Sequence, residues 1–358
     1  LGDVYKRQMV SKISSANKHI GFDFYTEKAL GQWLLDPGIT EICINRPNEL
    51  FYEKNQEWFY EKIDFSYFQC VHLAKAIAAF KKDKIESTKP ILSATLLNGE
   101  RVQVIMPPAC EKDTIAITVR KPSNIRFRLQ EYEENGFFSA TQRAGEAADE
   151  DADLLKLYQE GAWSAFLEQA VLKKKNIVVA GATGTGKTTF MKTMVDLIPT
   201  HERLITIEDT HELTLEGHPN HVHLLYNSEA KEGDIVTASS LLKCCMRMKP
   251  DRILLAEIRG GEAFDFLKAM SSGHGGSITS IHAGSVEEAF EQLTKYALAH
   301  PQGIALPFEA LKFSLRSTID IVLQIVIRDK KRVLKEVYFK SYAHRSACLL
   351  YTSPSPRD

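Results

Sequence analysis

No stretch of this 358-residue chain approaches the ~18 to 20 uninterrupted apolar residues of a membrane-spanning helix. The segment from Met9 onward, Val-Ser-Lys-Ile-Ser-Ser-Ala-Asn-Lys-His, also lacks the apolar core of a secretory signal, so a cytosolic protein is expected. Cysteine is sparse and scattered. Cys43, Cys70, Cys110, Cys244, Cys245 and Cys348 form neither Cys-x-x-Cys pairs nor Cys/His clusters, which excludes a zinc module and predicts reduced packing residues. Charge of one sign is missing as well. The formal net charge is −1 and no basic block is long enough for a nucleic-acid groove, so there is no sequence sign of direct nucleic-acid binding. With 44% hydrophobic and 25% charged residues, disorder is excluded and the length suffices for two domains, each with its own core.

What is present is a phosphate-binding loop. Gly181-Ala182-Thr183-Gly184-Thr185-Gly186-Lys187-Thr188, with Thr189 following, lies between the apolar run Ile177 to Ala180 and a helix-like stretch. The glycines permit turns that aim successive N–H groups inward, and the next helix adds its positive pole. Lys187 is then placed to reach the β/γ-phosphates, and the Thr188 hydroxyl to ligate Mg²⁺. The chemistry points to ATP with Mg²⁺.

The chain divides into two parts. Residues 9–123 alternate strand-like runs (Ile39 to Asn45, Leu50 to Glu53, Arg101 to Met106, Ile115 to Arg120) with a helical stretch, Phe68 to Phe80, and predict a small α+β domain. Residues 124–150 turn polar and acidic and read as a linker with some helix. From 151 to 340, strands over Asn176 to Ala180, Leu204 to Glu208, Ile253 to Glu257 and Ser277 to His282, each followed by a turn or helix, predict a parallel sheet with the phosphate loop at its carboxyl edge. The fold class is therefore α/β, a RecA-like P-loop domain preceded by a smaller α+β domain. Residues 1–8 and 341–358 resemble translated sequencing adapter and are set aside from the fold.

Two apolar strands end in carboxylates. Arg252 to Ala256 delivers Glu257 to the sheet edge, where it can meet the metal or the attacking water. Leu204 to Ile207 delivers Glu208 and Asp209, with Glu212 close behind. The run Gly273 to Ala283 brings His282 to the same edge, where an imidazole can sense the γ-phosphate. His274 is a weaker candidate for that task. Ser285 with Glu288 makes a capping box for the next helix.

These segments resemble, in order and spacing, the Walker A, Asp, Walker B and His boxes of the secretion ATPase superfamily. They are joined by Ile207-Glu208-Asp209-Thr210, Arg247 to Arg252, and the N-terminal motifs Ile39 to Pro47, Gly99 to Val104 and Arg120 to Ser123. The chain is most similar in pattern to the traffic ATPases of type IV secretion systems, the VirB-eleven type. The resemblance implies a homohexameric ATPase at the cytoplasmic face of the inner membrane, peripheral to it. It also implies partnership with other type IV secretion components, including a coupling ATPase. Nucleotide would sit between the two domains of one subunit. Lys187 and Thr188 would bind phosphate and metal, Glu208 and Glu257 would be the catalytic carboxylates, and Arg101 and Arg120 would reach the nucleotide from the N-terminal domain.

The alternative within the superfamily is a pilus or type II secretion motor. Type II motors usually carry a four-cysteine zinc insert that this chain lacks. The tight-adherence pilus motor shares a segment like Val104 to Pro108, while Arg120 to Ser123 and the short N-terminus favour type IV secretion. Outside it stand a RecA-like nucleic-acid translocase, which should show a basic or aromatic pore stripe, and a nucleotide-regulated scaffold, which Glu208 and Glu257 argue against.

Overall fold

A computed structural model describes residues 26, 30–123, 126–143, 151–229, 235–343 and 345. The supposed adapter at 1–8 lies outside the described residues, as does most of the one at 341–358.

Among the described residues, thirteen strands form two sheets. The first comprises β1 (Ile39–Ile44), β2 (Glu49–Lys54), β3 (Glu57–Lys62), β4 (Ile91–Thr95), β5 (Arg101–Ile105) and β6 (Ala116–Arg120), in the order β3-β2-β1-β6-β5-β4. Every pairing in it is antiparallel. The helix Tyr67–Phe80 covers it with Cys70, Leu73, Ala74, Ile77 and Ala78, a spacing of three and four residues that places them on one face. Its start is fixed by Ser66, whose N–H donates to the Gln69 side chain at 2.8 Å.

The second sheet comprises β7 (Ile177–Gly181), β8 (Leu204–Glu208), β9 (His221–Leu225), β10 (Arg252–Leu255), β11 (Ile278–Ile281), β12 (Ile321–Arg328) and β13 (Lys331–Phe339), in the order β13-β12-β7-β11-β10-β8-β9. From β12 to β9 all neighbours are parallel, and β13 closes the far edge as an antiparallel hairpin partner of β12. Strands β7, β8 and β10 are buried along their whole length. Helices on both faces of a parallel sheet demand such continuous apolar runs. Core clusters occupy the two faces, one around Leu255, Phe266 and Phe290, the other around Val179, Met191 and Leu254.

The sheets meet at the β9 edge. Leu225 N–H donates to Ala109 O at 3.0 Å, Asn45 Nδ2 to Asn220 Oδ1 at 2.9 Å and Arg46 Nη2 to Pro219 O at 2.7 Å. Ile105, Ala109, Cys110 and Ala116 join the core cluster that holds Val222 and Leu224. The stretch between the sheets carries the short helix Leu129–Glu134, with no buried residue. All five cysteines among the described residues are free thiols in buried positions.

Several sequence expectations shift in detail. Strand β10 ends at Leu255, so Glu257 lies two residues beyond the ladder. The capping box at Ser285 is half made: Ser285 Oγ accepts from Glu288 N–H at 3.1 Å, but the Glu288 carboxylate turns to Gly284 N–H at 2.8 Å.

Candidate active site

The loop 181–188 leaves β7 at the carboxyl edge and enters the helix Lys187–Val195. Gly184 and Gly186 hold φ of +79° and +89°, a region that L side chains rarely adopt. Gly181 is needed for space: a Cβ there would lie 2.7 Å from both Ile325 O and Thr185 Oγ1. Thr185 Oγ1 braces the turn by donating to Ala182 O at 2.8 Å. Residues 182–184 and Thr189 are exposed, Thr188 is half-buried and Lys187 is buried.

Lys187 Nζ donates to Gly181 O at 2.9 Å and Ala182 O at 3.3 Å, and lies 3.3 Å from His282 Nδ1. An ammonium can only donate, so Nδ1 is the acceptor and the imidazole proton sits on Nε2. Nε2 lies 2.7 Å from Glu257 Oε1, but out of hydrogen-bond alignment, so that buried oxygen has no hydrogen-bond partner. The imidazole thus stands between the lysine of the loop and the carboxylate beyond β10. Burial pulls the Lys187 ammonium below its ordinary value, with Glu257 opposing the shift and Arg259 assisting it.

Glu257 Oε2 is held by Arg259, at 2.9 Å from Nε and 2.7 Å from Nη2. Arg259 Nη1 also donates to Asp209 Oδ2. A continuous chain, Lys187 to His282 to Glu257 to Arg259 to Asp209, thus joins the carboxyl ends of β7, β11, β10 and β8. The composition of this edge did not single out Arg259. Its only sequence signal is a guanidinium two residues past a strand-tip carboxylate.

Glu208 plays a different part. It is fully buried; Oε1 accepts from Thr206 Oγ1 at 2.8 Å, and Oε2 accepts from Glu212 N–H and Leu213 N–H, both at 2.8 Å. Burial pushes its carboxyl up, but hydrogen bonds from His223, Leu213, Glu212 and Thr206 outweigh it, and the net shift is downward. The carboxylate ties down the loop that carries Asp209. Glu208, His211 and His223 each bring a donor atom within 4.8 Å of the others. Thr206 Oγ1 lies 2.8 Å from His223 Nδ1 as well as from Glu208, so the hydroxyl already links the two buried members without an ion.

Arg101 and Arg120 are not brought to the loop of their own chain. They face each other across β5 and β6, both exposed, and Arg120 Nε lies 3.5 Å from Glu41 Oε1. Burial pushes the Glu41 carboxyl up to about 7, with Arg120, Lys249 and Arg203 acting against it. Lys249 and Arg203 precede β10 and β8, so Arg120 is near the amino edge of the parallel sheet, while the loop is at the carboxyl edge. Strand β9, where the first sheet docks, is four ladder steps from β7, about 19 Å at ~4.8 Å per step. The expected seat for nucleotide between the two parts of one chain is thus not formed by these arginines. His274 is likewise remote: it is lodged beside Pro250, and burial lowers its basicity.

Another arginine does reach the loop. The side chain of Arg332, from β13, lies 3.0 to 3.5 Å from where a Gly186 Cβ would be. It borders a cavity of about 230 Å³ lined also by Thr189, Phe190 and Leu334.

Residues 26–349 match the family described as Type II/IV secretion system protein. The chain is 44% identical over 350 residues to the type IV secretion system protein VirB11 of Brucella suis, covering 96% of this chain and 95% of the relative. It is 41% identical over 314 residues to the type IV secretion system protein PtlH homolog of Bordetella bronchiseptica, covering 87% and 92%. Among solved structures it is similar to the VirB11 ATPase from the Brucella suis type IV secretion system in complex with sulphate. That match has a TM-score of 0.86 and 44% identity, and covers 91% of this chain and 99% of that one. The family match spans most of the chain, and the chain belongs to the Type II/IV secretion system protein family.

Proposed function

We propose that this protein is a Mg²⁺-dependent ATP hydrolase that powers substrate transfer or pilus biogenesis by a type IV secretion system. The observation that carries the reading is the contact chain from Lys187 through His282 to Glu257, which couples the phosphate grip to a carboxylate positioned for water. The near full-length similarity to VirB11 of Brucella suis favours type IV secretion over a pilus or type II motor.

The helix start at Lys187 offers its free N–H groups to the phosphates, and the Lys187 ammonium moves from its loop carbonyls to the β/γ oxygens. Phe190 and Arg332 border the cavity that suits the nucleoside end. The half-buried Thr188 hydroxyl and, through water, Glu257 would hold Mg²⁺. The residues fit that ion, since Glu257 Oε1 is buried without a hydrogen-bond partner. Bound there, Mg²⁺ would neutralise charge on the transferring phosphoryl group. Glu257 would take the proton of the attacking water, and His282 would report on the γ-phosphate to Lys187. Glu208 supports this edge from behind. Arg101 and Arg120 have no part in the single-chain site.

No helix among the described residues is long and apolar enough to cross a membrane. We further propose a homohexameric ring, peripheral to the inner membrane on its cytoplasmic side, that works with a coupling ATPase and other secretion components. The two sheets with their helices act as separate domains, residues 9–123 and 151–340, joined by the linker 124–150.

The test is steady-state hydrolysis of Mg-ATP by the wild type and by Lys187→Ala. Turnover that needs Mg²⁺ and falls to background in the variant is expected. Unchanged turnover in the variant would remove the loop from the site.

A further inference from the structure

We infer that Arg259, anchored by Asp209, is the residue that positions Glu257 for hydrolysis, and that it acts through Glu257 rather than on the nucleotide. The inference rests on the assignment of Glu257 as the catalytic carboxylate.

The geometry of the carboxylate is the ground for it. Two residues beyond the last ladder position of β10, the Glu257 backbone is still held on either side by Ala256 N–H to Ile207 O and Ile258 N–H to Ser280 O, but these bonds do not set the direction of its side chain. Its aim must come from what holds its oxygens. Arg259 meets one oxygen, Oε2, with two nitrogens of the same guanidinium, a contact that constrains angle as well as distance. Oε1 lies 2.7 Å from His282 Nε2 and accepts no hydrogen bond, which leaves it open to a water. An arginine that gripped both oxygens would take acceptor capacity from Oε1 as well. Here the guanidinium occupies the outer oxygen only.

Arg259 is itself fixed. Its third nitrogen, Nη1, donates to Asp209 Oδ2, and its backbone N–H donates to Glu262 Oε1 at 2.6 Å. Asp209 in turn sits on the loop pinned by the buried Glu208, whose Oε2 accepts the N–H groups of Glu212 and Leu213. A carboxylate at the tip of one strand is thereby aimed by groups at the tip of the next. Strands β8 and β10 are direct parallel neighbours, with Leu255 opposite Ile207, so the two tips keep a fixed separation. Glu208 acts at one remove further, by holding the anchor. This explains why an acidic residue that touches neither loop nor cavity sits beside a catalytic edge.

The experiment compares Arg259→Gln, Arg259→Lys and Asp209→Asn in the full chain, with turnover and Mg-nucleotide binding measured separately. A misaimed general base is expected to lower kcat by roughly 30- to 100-fold in Arg259→Gln, the scale of an ångström of misplacement. Nucleotide Kd should stay within about twofold of wild type. Arg259→Lys should recover part of the rate, and Asp209→Asn should lose less than Arg259→Gln, because two contacts to Glu257 survive. The decisive arm is Arg259→Gln added to Glu257→Gln, followed by single-turnover cleavage of labelled ATP: no further loss is expected. A further loss in that background, or a Kd raised tenfold in Arg259→Gln alone, would show that Arg259 acts on the phosphates and overturn the inference. If Glu257→Gln alone keeps wild-type turnover, the failure belongs to the assignment of Glu257 and not to Arg259.

Discussion

At the residue scale, the phosphate loop depends on what its glycines lack. Gly181 sits where a methyl group would lie 2.7 Å from the Ile325 carbonyl and from Thr185 Oγ1. Neither neighbour can retreat, because one belongs to β12 and the other braces the turn through Ala182. Gly181→Ala is therefore expected to cost about 1 to 3 kcal/mol, the usual range for overpacking, measured as a fall in denaturation midpoint together with weaker nucleotide binding. A variant of wild-type stability would mean that the loop has slack these contacts do not show. The loop, Lys187 and Thr188 were legible in the sequence because their chemistry depends on local spacing alone. Arg259 was not, because its meaning comes from Asp209, fifty positions away in the chain and adjacent only once β8 and β10 pair.

At the element scale, the strand tips explain why two similar carboxylates differ. Both strands were visible as apolar runs ending in acid, and that pattern suggested two catalytic groups. The sheet separates them: Glu208 is the last residue of β8 and is turned into the core onto Thr206 and the loop amides, while Glu257 has left its ladder and faces Lys187 and His282. Glu208→Gln should therefore lower stability by about 2 kcal/mol, as loss of charge-assisted bonds to a buried group does. The pH dependence follows from the direction of its shift. A carboxyl held below its ordinary value of 4.5 stabilises the fold above that pH and loses the contribution as pH falls through the lowered value. The gap between wild type and Glu208→Gln in chemical denaturation is expected to be full at pH 7 and to shrink below about pH 4.5. A gap that stays constant or widens in acid would contradict the role. Strand β9 and the β12–β13 hairpin escaped the sequence pattern, since β9 mixes His221 and His223 with apolar residues and β13 is mostly exposed.

For the whole molecule, the polar seam between the two sheets is the main surprise. Arg203 is fully buried, yet its guanidinium is met by neutral oxygens: Met248 O at 2.9 Å, Asn45 Oδ1 at 2.8 Å, and the side chains of Asn220 and Thr118. Trp58 lies over it at 5.7 Å. The cation joins residues of both sheets, so it acts as a hub for docking along the β9 edge. No periodicity in the sequence marks such a contact, because its partners come from four separate strands and turns. Arg203→Met should remove the donor from Met248 O, Asn45 Oδ1 and Thr118 Oγ1, leaving Asn220 Oδ1 only its bond from Asn45 Nδ2, and loosen the seam. The expected result is faster limited proteolysis within residues 121–151, with the phosphate-loop half still binding nucleotide. Cleavage at the wild-type rate would mean that the apolar contacts of Ile105, Ala109 and Val222 hold the sheets together unaided. The same seam accounts for the position of Arg101 and Arg120, which the docking directs toward the amino edge and away from the loop.

The central claim is that one edge of the parallel sheet both grips a triphosphate and prepares its cleavage, with the two tasks on different residues. Glu257→Gln separates them. Equilibrium binding of Mg-ATP is expected within about twofold of wild type, while single-turnover hydrolysis falls by roughly 10² to 10⁴, the range for loss of a general base. Wild-type hydrolysis in this variant, or loss of binding in place of turnover, would contradict the account.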